Sequence, residues 1–165
     1  FVLDGSRFDH HSNRNKGTNS RHTHPSEHVV HIQDHDQIGN RPVGDRMIAS
    51  YGRDKALLAV TAVLASPYVP MLFMGEEYGE TAPFLFFEEF GDNRLVTAVR
   101  KGRKQEFAFS GVTPRDAHEE AAFIDSRLQW ARRDSHDGEA IFTYYRTLIA
   151  LKRQGVLGPR DRSRL

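Results

Sequence analysis

Residues Val29-Val30-His31-Ile32-Gln33-Asp34-His35-Asp36-Gln37-Ile38-Gly39-Asn40-Arg41 constrain this chain more than any other stretch. A β-branched run stops at a packet of titratable and hydrogen-bonding side chains, then at Gly39. A buried strand reads this way when its carboxyl end opens into a polar site, and in parallel α/β folds that end holds the chemistry. The pattern recurs further on. Val69-Pro70-Met71-Leu72-Phe73-Met74 is apolar, with Pro70 near its start, and runs into Gly75-Glu76-Glu77-Tyr78-Gly79. Between the two runs, Asp54 offers an N-cap for a helix over 55–65 that Ser66-Pro67 ends. That helix is apolar nearly all round, so deep packing is expected. Strand, helix, parallel strand is the βαβ unit, and it predicts two polar strand ends on one side of a sheet, sharing a site.

Other segments fit around this unit. Residues 4–28 are polar, lack apolar periodicity and read as loop. A short helical turn is expected over 45–51, where Met47, Ile48 and Tyr51 share a face. Residues 81–90 form a Phe-rich loop. Residues 92–107 read as an amphipathic helix with Leu95, Val96, Val99 and Phe107 as its stripe; its basic segment, 100–104, reads as a solvated face. Residues 113–125 read as loop. Residues 139–154 are a clear helix, with Ile141, Phe142, Tyr145, Leu148, Ile149 and Lys152 spaced at three and four. Gly155 and Gly158-Pro159 stop it, and the basic residues 160–165 are expected to fray.

Composition narrows the partners. Lys plus Arg number 23 against 22 for Asp plus Glu, so no net field draws the chain to nucleic acid or to a membrane surface. Cysteine is absent. That excludes disulfides and thiolate chemistry, and it is compatible with a reducing compartment; a cytoplasmic location is expected. No apolar run approaches the roughly 20 residues that cross a bilayer. Phe1 is not Met, and Phe1-Val2-Leu3 reads as interior sequence, so a fragment or processed product is expected.

The two strand ends together resemble a known family. Gln33 to Arg41 is similar to the late-barrel motif of α-amylase-type glycoside hydrolases, in which a His-Asp pair follows the seventh strand of a (β/α)8 TIM barrel. Ser66 to Gly79 resembles the eighth strand and its loop. The continuation, Thr81-Ala82-Pro83-Phe84-Leu85-Phe86-Phe87 and Val99-Arg100-Lys101-Gly102-Arg103-Lys104-Gln105-Glu106-Phe107, resembles the maltooligosyltrehalose trehalohydrolase subfamily. Ser126-Arg127-Leu128-Gln129-Trp130 and Tyr145 to Leu151 fit the same subfamily, and Phe1 to Gly5 resembles the segment before its seventh strand.

The resemblance implies an α/β chain: the seventh and eighth strands of a TIM barrel with the intervening helix, followed by mainly helical segments. Residues 1–90 would be the carboxyl-terminal portion of the catalytic barrel. Residues 91–165 would be a helical extension leading towards a β domain beyond the chain. The implied activity is hydrolysis of the α-1,4 bond next to the terminal trehalose unit of maltooligosyltrehalose, part of trehalose biosynthesis, with no metal or organic cofactor. The implied partners are that α-glucan oligosaccharide and the amino-terminal remainder of the barrel.

Retaining glycoside hydrolysis uses a nucleophilic carboxylate and an acid/base carboxyl roughly 5 Å apart. Enzymes of this type add a third carboxylate that stabilises the charged transition state. By motif, Asp36 matches that third carboxylate, and His35 matches the histidine that hydrogen-bonds the sugar at the cleavage point. Gln37, Asn40, Arg41, Glu76 and Phe84 are the further substrate-binding candidates. The nucleophile and acid/base would come from the fourth and fifth strands, before Phe1, so the chain alone is expected to be inactive and poorly stable. One departure is Asp34, where the family usually has an amide. If Asp34 faced Asp36, two carboxylates would disfavour joint ionisation.

Plainer readings stand beside these. The His35-Asp36 pair could be a solvated turn. Glu76-Glu77-Tyr78 could cap a strand end with buried hydrogen bonds. Phe84, Phe86 and Phe87 could pack the loop core instead of stacking on sugar, and Trp130 reads as structural. A metal site through His22, His24 and His28 lacks a ligand-spacing signature. Rival functions are a glycogen branching or debranching enzyme, a non-catalytic remnant that binds maltooligosaccharide, and a His-rich metal-binding segment.

Overall fold

A computed structural model describes residues 4–19 and 22–158; Phe1–Leu3 and the basic tail 160–165 lie outside the described residues. The centre is the expected βαβ unit. Strand β3 (Val29–Val30) pairs in parallel with β4 (Val69–Pro70), in the register Val29 opposite Val69 and Val30 opposite Pro70. Val69 N donates to His28 O (2.9 Å) and Met71 N to Val30 O (2.8 Å). Pro70 costs nothing here, because the slanted parallel ladder uses the amides on either side of it. The ladder is shorter than the apolar runs suggest. Ile32, Gln33 and 71–74 leave it for irregular backbone that packs against helices.

Helix α3 (Arg53–Ala65) crosses between the two strands. Its N-cap is Gly52, not Asp54, which instead lies in the first turn, where an acid suits the positive end of the helix dipole. Deep packing all round does not hold. Val60 and Leu64 are fully buried, but Leu58 is 72% exposed, because only one side of α3 is covered by other described elements. That cover is α6 (His136–Arg153), an 18-residue helix begun by Ser135, whose side chain accepts from Gly138 N. Val60, Leu64, Ile141, Tyr145 and Leu148 form the core, with Ile32, Ile48, Leu57 and Leu72 packed at its margin. Lys152 Nζ donates to Leu64 O (3.2 Å) and Ser66 O (2.6 Å), holding the far ends of the two helices together.

Two segments read as loop are ordered. Residues 4–17 form an antiparallel hairpin, β1 (Asp4–Asp9) and β2 (Arg14–Gly17), with an irregularity between Asp4 and Phe8. All four residues of β2 are exposed. A hairpin with a solvated strand has no apolar alternation to read; Asp9, accepting from Ser12 Oγ (2.7 Å) and His11 N (3.2 Å), holds its turn. Glu120–Asp125 forms helix α5, with Ala122 buried. Helix α4 (Asn93–Glu106), capped by Asp92, matches its expected span and buries Val96 while Leu95 lies half exposed. Helices α1 (His35–Gly39) and α2 (Met47–Tyr51) complete the chain. Among the described residues no helix is long and apolar enough to cross a membrane.

The α3–α6 seam sets stability. Leu64→Ala should lower unfolding free energy by about 2–5 kcal/mol, the usual range for emptying a buried leucine site, whereas Leu58→Ala should cost well under 1 kcal/mol. Urea unfolding followed by circular dichroism tests both.

Candidate functional site

Beyond β3 the chain turns into α1, and the turn is made by Asp34. Its Oδ1 accepts from Gln37 N (2.7 Å), the N-cap bond. Its Oδ2 lies 3.6 Å from His31 Nε2. Asp34 is therefore occupied in holding the helix start and in pairing with His31. Asp36 has its own histidine, with His35 Nε2 3.4 Å from Oδ1. His35 and Asp36 stand 69% and 74% exposed at the side chain, on the first turn of α1. The dipole of so short a helix adds little. What the turn does is fix two polar side chains outward while Ile38 and Gly39 anchor the other face in the core.

The remaining candidates divide. Gln37 and Asn40 are exposed beside Asp36. Arg41 is turned to Asp45: Nε donates to Oδ1 (2.7 Å) and Nη2 to Oδ2 (2.6 Å), and Ser50 Oγ also contacts that carboxylate. The fork-shaped pair raises the Arg41 pKa, lowers that of Asp45, and commits both groups to each other. Phe84 sits edge-on between Phe73 (5.4 Å) and Phe87 (6.0 Å), within the loop's aromatic packing.

Glu76 is buried, 7% exposed, in the turn that follows the irregular run 71–74 beyond β4. Its Oε2 accepts from Gln33 Nε2 (3.0 Å), and Gln33 Oε1 accepts from Met47 N (3.0 Å). One amide thus ties the segments that follow both strands to α2. Glu76 Oε1 has no hydrogen-bond partner among the described residues. Ile32, Ile48, Ile141 and Tyr145 line the same small space. Burial pushes the Glu76 carboxyl up to about 7, against the opposing pull of the Gln33 bond. Burial also raises the Tyr145 pKa, with Glu76 and Glu77 adding to the shift.

Two buried ionic residues escaped sequence reading. Arg46 is fully buried; Nε donates to Ala82 O and Nη1 to Met74 O, each at 2.7 Å, and the guanidinium lies 5.1 Å from the centre of the Phe73 ring. Glu80 is also fully buried. Its Oε1 accepts from Thr81 N and Ala82 N (both 2.8 Å), and its Oε2 accepts from Gln129 N (2.6 Å). The one available signal was the unusual density of acids from Glu76 to Glu80, next to two glycines. Gly75, at φ 88°, permits the tight turn in which Glu80 N donates to Gly75 O (2.9 Å).

Two of the three histidines named as a metal set have local partners. His24 Nδ1 accepts from Ser26 N (3.3 Å), and His28 Nε2 meets Thr23 Oγ1 (2.6 Å). Among the described residues no group of three or more His, Asp or Glu could hold a metal ion.

The fold is that of a segment of an α-amylase-like protein. Over 93% of the chain the fold superposes on a crystal structure of a candidate alpha amylase from Salmonella typhimurium, at a TM-score of 0.86 and 38% identity, covering 26% of that chain. More particularly, the chain is homologous to a segment of the malto-oligosyltrehalose trehalohydrolases. It is 34% identical to that of Saccharolobus solfataricus over 93% of this chain and 26% of the relative. It is 41% identical to that of Arthrobacter ramosus over 76% and 22%, and 38% identical to that of Deinococcus radiodurans over 91% and 27%. The chain thus spans about a quarter of the length of the curated relatives it matches. No family model matches it.

Glu76 predicts a pH signature. The folded state holds its proton up to about 7, whereas the unfolded chain loses it near 4.5. The group's contribution is therefore complete below pH 4.5 and is lost as pH rises to 7. The stability of Glu76→Gln relative to the parent should rise across that window by roughly 3 kcal/mol. Urea midpoints at pH 4.5 and 7.5 measure it; an unchanged difference would put the carboxyl near its ordinary value.

Proposed function

We propose that the chain is the part of a glycoside hydrolase that supplies the third carboxylate for cleaving the α-1,4 bond next to the terminal trehalose unit of maltooligosyltrehalose. The homology to trehalohydrolases supports the substrate class. The observation that carries the chemistry is the outward pair His35 and Asp36, presented by a helix that Asp34 caps.

In this reading Asp36 is ionised and faces the positive charge that develops on the sugar ring, while His35 donates to a hydroxyl of the same residue. A fixed carboxylate stabilises the transition state more than the neutral ground state, which is what lowers a barrier. Gln37 and Asn40 orient the sugar from the same helix. Arg41 acts through Asp45, as a brace for the loop. The nucleophile and acid/base carboxyls, which must stand roughly 5 Å apart, are assigned to strands that pair with this chain's open sheet edges. The substitution of Asp34 for the usual amide is accommodated by its helix cap and by His31.

Two outcomes test this. The 165-residue chain alone should release no trehalose from maltooligosyltrehalose. Combined with the parts of the Arthrobacter ramosus relative that flank the matching segment, it should restore release, and Asp36→Asn should cut the restored rate roughly 100- to 1,000-fold. Release by the chain alone, or an unaltered rate in the Asn variant, would sink the assignment of Asp36.

A further inference from the structure

The side chain at position 34 carries more charge than its structural task requires. Capping α1 takes one acceptor, Asp34 Oδ1 for Gln37 N (2.7 Å), and an amide oxygen caps a helix as well as a carboxylate does. Asp34 brings a second oxygen and a negative charge, and its side chain is only 21% exposed. A carboxylate withdrawn from water to that extent stays in place only where other groups offset its lost hydration. Gln37 N is one such group. Arg41, further along the loop, is committed to Asp45 through Nε and Nη2, and His35 faces Asp36. His31 remains, with Nε2 3.6 Å from Asp34 Oδ2.

The placing of His31 has no other explanation in its surroundings. It follows β3 directly, and its side chain is 25% exposed. Its Nδ1 is closed to solvent and makes no hydrogen bond among the described residues. A ring nitrogen buried in that way destabilises the fold. What the imidazole gains there is the Asp34 carboxylate. The pair joins the end of β3 to the start of α1, and the first turn of α1 carries His35 and Asp36.

We propose that His31 is a positioning residue for Asp36, acting through Asp34. With the imidazole in place, the Asp34 carboxylate stays beneath the helix start, with one oxygen on Gln37 N and the other towards His31. Without it, the carboxylate turns to water and releases Gln37 N, and the turn that carries Asp36 loosens. An amide at position 34 has no charge to hydrate, so it keeps the cap whether or not His31 is present. His31 is needed only because residue 34 is an acid. The role of Asp36 rests on the hydrolase reading above, whereas the coupling of residues 31 and 34 rests on the geometry alone.

The test is a double-mutant cycle of His31→Leu and Asp34→Asn. It is made in a fusion in which this 165-residue chain replaces the matching segment of the Deinococcus radiodurans trehalohydrolase. Deuterium exchange over residues 35–41 reads the α1 turn, and trehalose release from maltooligosyltrehalose reads Asp36. His31→Leu should speed exchange there and lower kcat, each about five- to tenfold, with KM changed less than about twofold. The split is expected because a carboxylate that meets developing charge acts on the transition state more than on the bound substrate. Asp34→Asn should leave both readouts near those of the parent fusion, and added to His31→Leu it should restore both. A general loss of packing at position 31 would not be rescued in this way. Equal losses from His31→Leu with and without Asp34→Asn would overturn the positioning role and leave the hydrolase reading standing, as would unchanged exchange over 35–41 in an active His31→Leu fusion. A folded parent fusion that releases no trehalose would overturn the hydrolase reading and the link to Asp36 with it; the exchange cycle would still decide the coupling of 31 and 34.

Discussion

The irregular segment from Met71 to Leu85 depends on two fully buried ionic side chains. Beyond the Met71 amide the backbone makes no ladder, yet much of it is buried, from Gly75 to Glu80 above all, and its polar groups need partners. Glu80 accepts from the amides of Thr81, Ala82 and Gln129, and Arg46 donates to the carbonyls of Met74 and Ala82. Each charge replaces several missing backbone bonds. A buried carboxylate with three amide donors has little desolvation cost left uncompensated. Burial lowers the Arg46 pKa, while Glu80 is the first of the acids that oppose the shift. The two ions thus hold a loop that connects α2, the end of β4 and the approach to α6.

That loop positions everything near it. Gln33, at the end of β3, is bonded to Glu76 on one side and to the amide of Met47 on the other. The strand end that launches α1 is therefore fixed from within, and Asp34 fixes the turn itself. His35 and Asp36 project from a backbone turn that is supported from within. Glu76 serves this frame as a buried acid. On the other side of the same loop, Arg103 stacks over Phe86 (4.6 Å) and Phe107 (5.2 Å), and its Nη2 donates to Gly39 O (3.0 Å). That side chain ties helix α4 to the end of α1.

Much of the fold was legible because periodicity and caps are local. Helix α6 announces itself by the spacing of Ile141, Tyr145 and Leu148, and α4 by Asp92 and Val96. The βαβ unit was legible from two apolar runs with polar ends. What escaped notice were elements whose stability is not apolar: the exposed hairpin over 4–17, and the buried pair Arg46 and Glu80. A charged residue carries no sign of whether it will be buried. Its partners here are backbone groups, Met74 O, Ala82 O and Gln129 N, that any sequence would present. The site divides the same way. His35 and Asp36 lie on an exposed turn, whereas Arg41 and Glu76 look like ligand contacts in sequence and are engaged with Asp45 and Gln33.

The sequence by itself determined the parallel strand-helix-strand order, a helix read over 139–154 that in the structure spans His136–Arg153, and the placing of a polar packet after each apolar run. These follow from hydrophobic spacing and turn chemistry, which act over a few residues. Only the tertiary structure decided which polar groups face outward and which are spent on the frame. That choice depends on partners distant in the chain, such as Gln33 with Glu76 and Glu80 with Gln129. It also decided that α3 buries one side only, because burial depends on what packs against a helix as well as on its own residues.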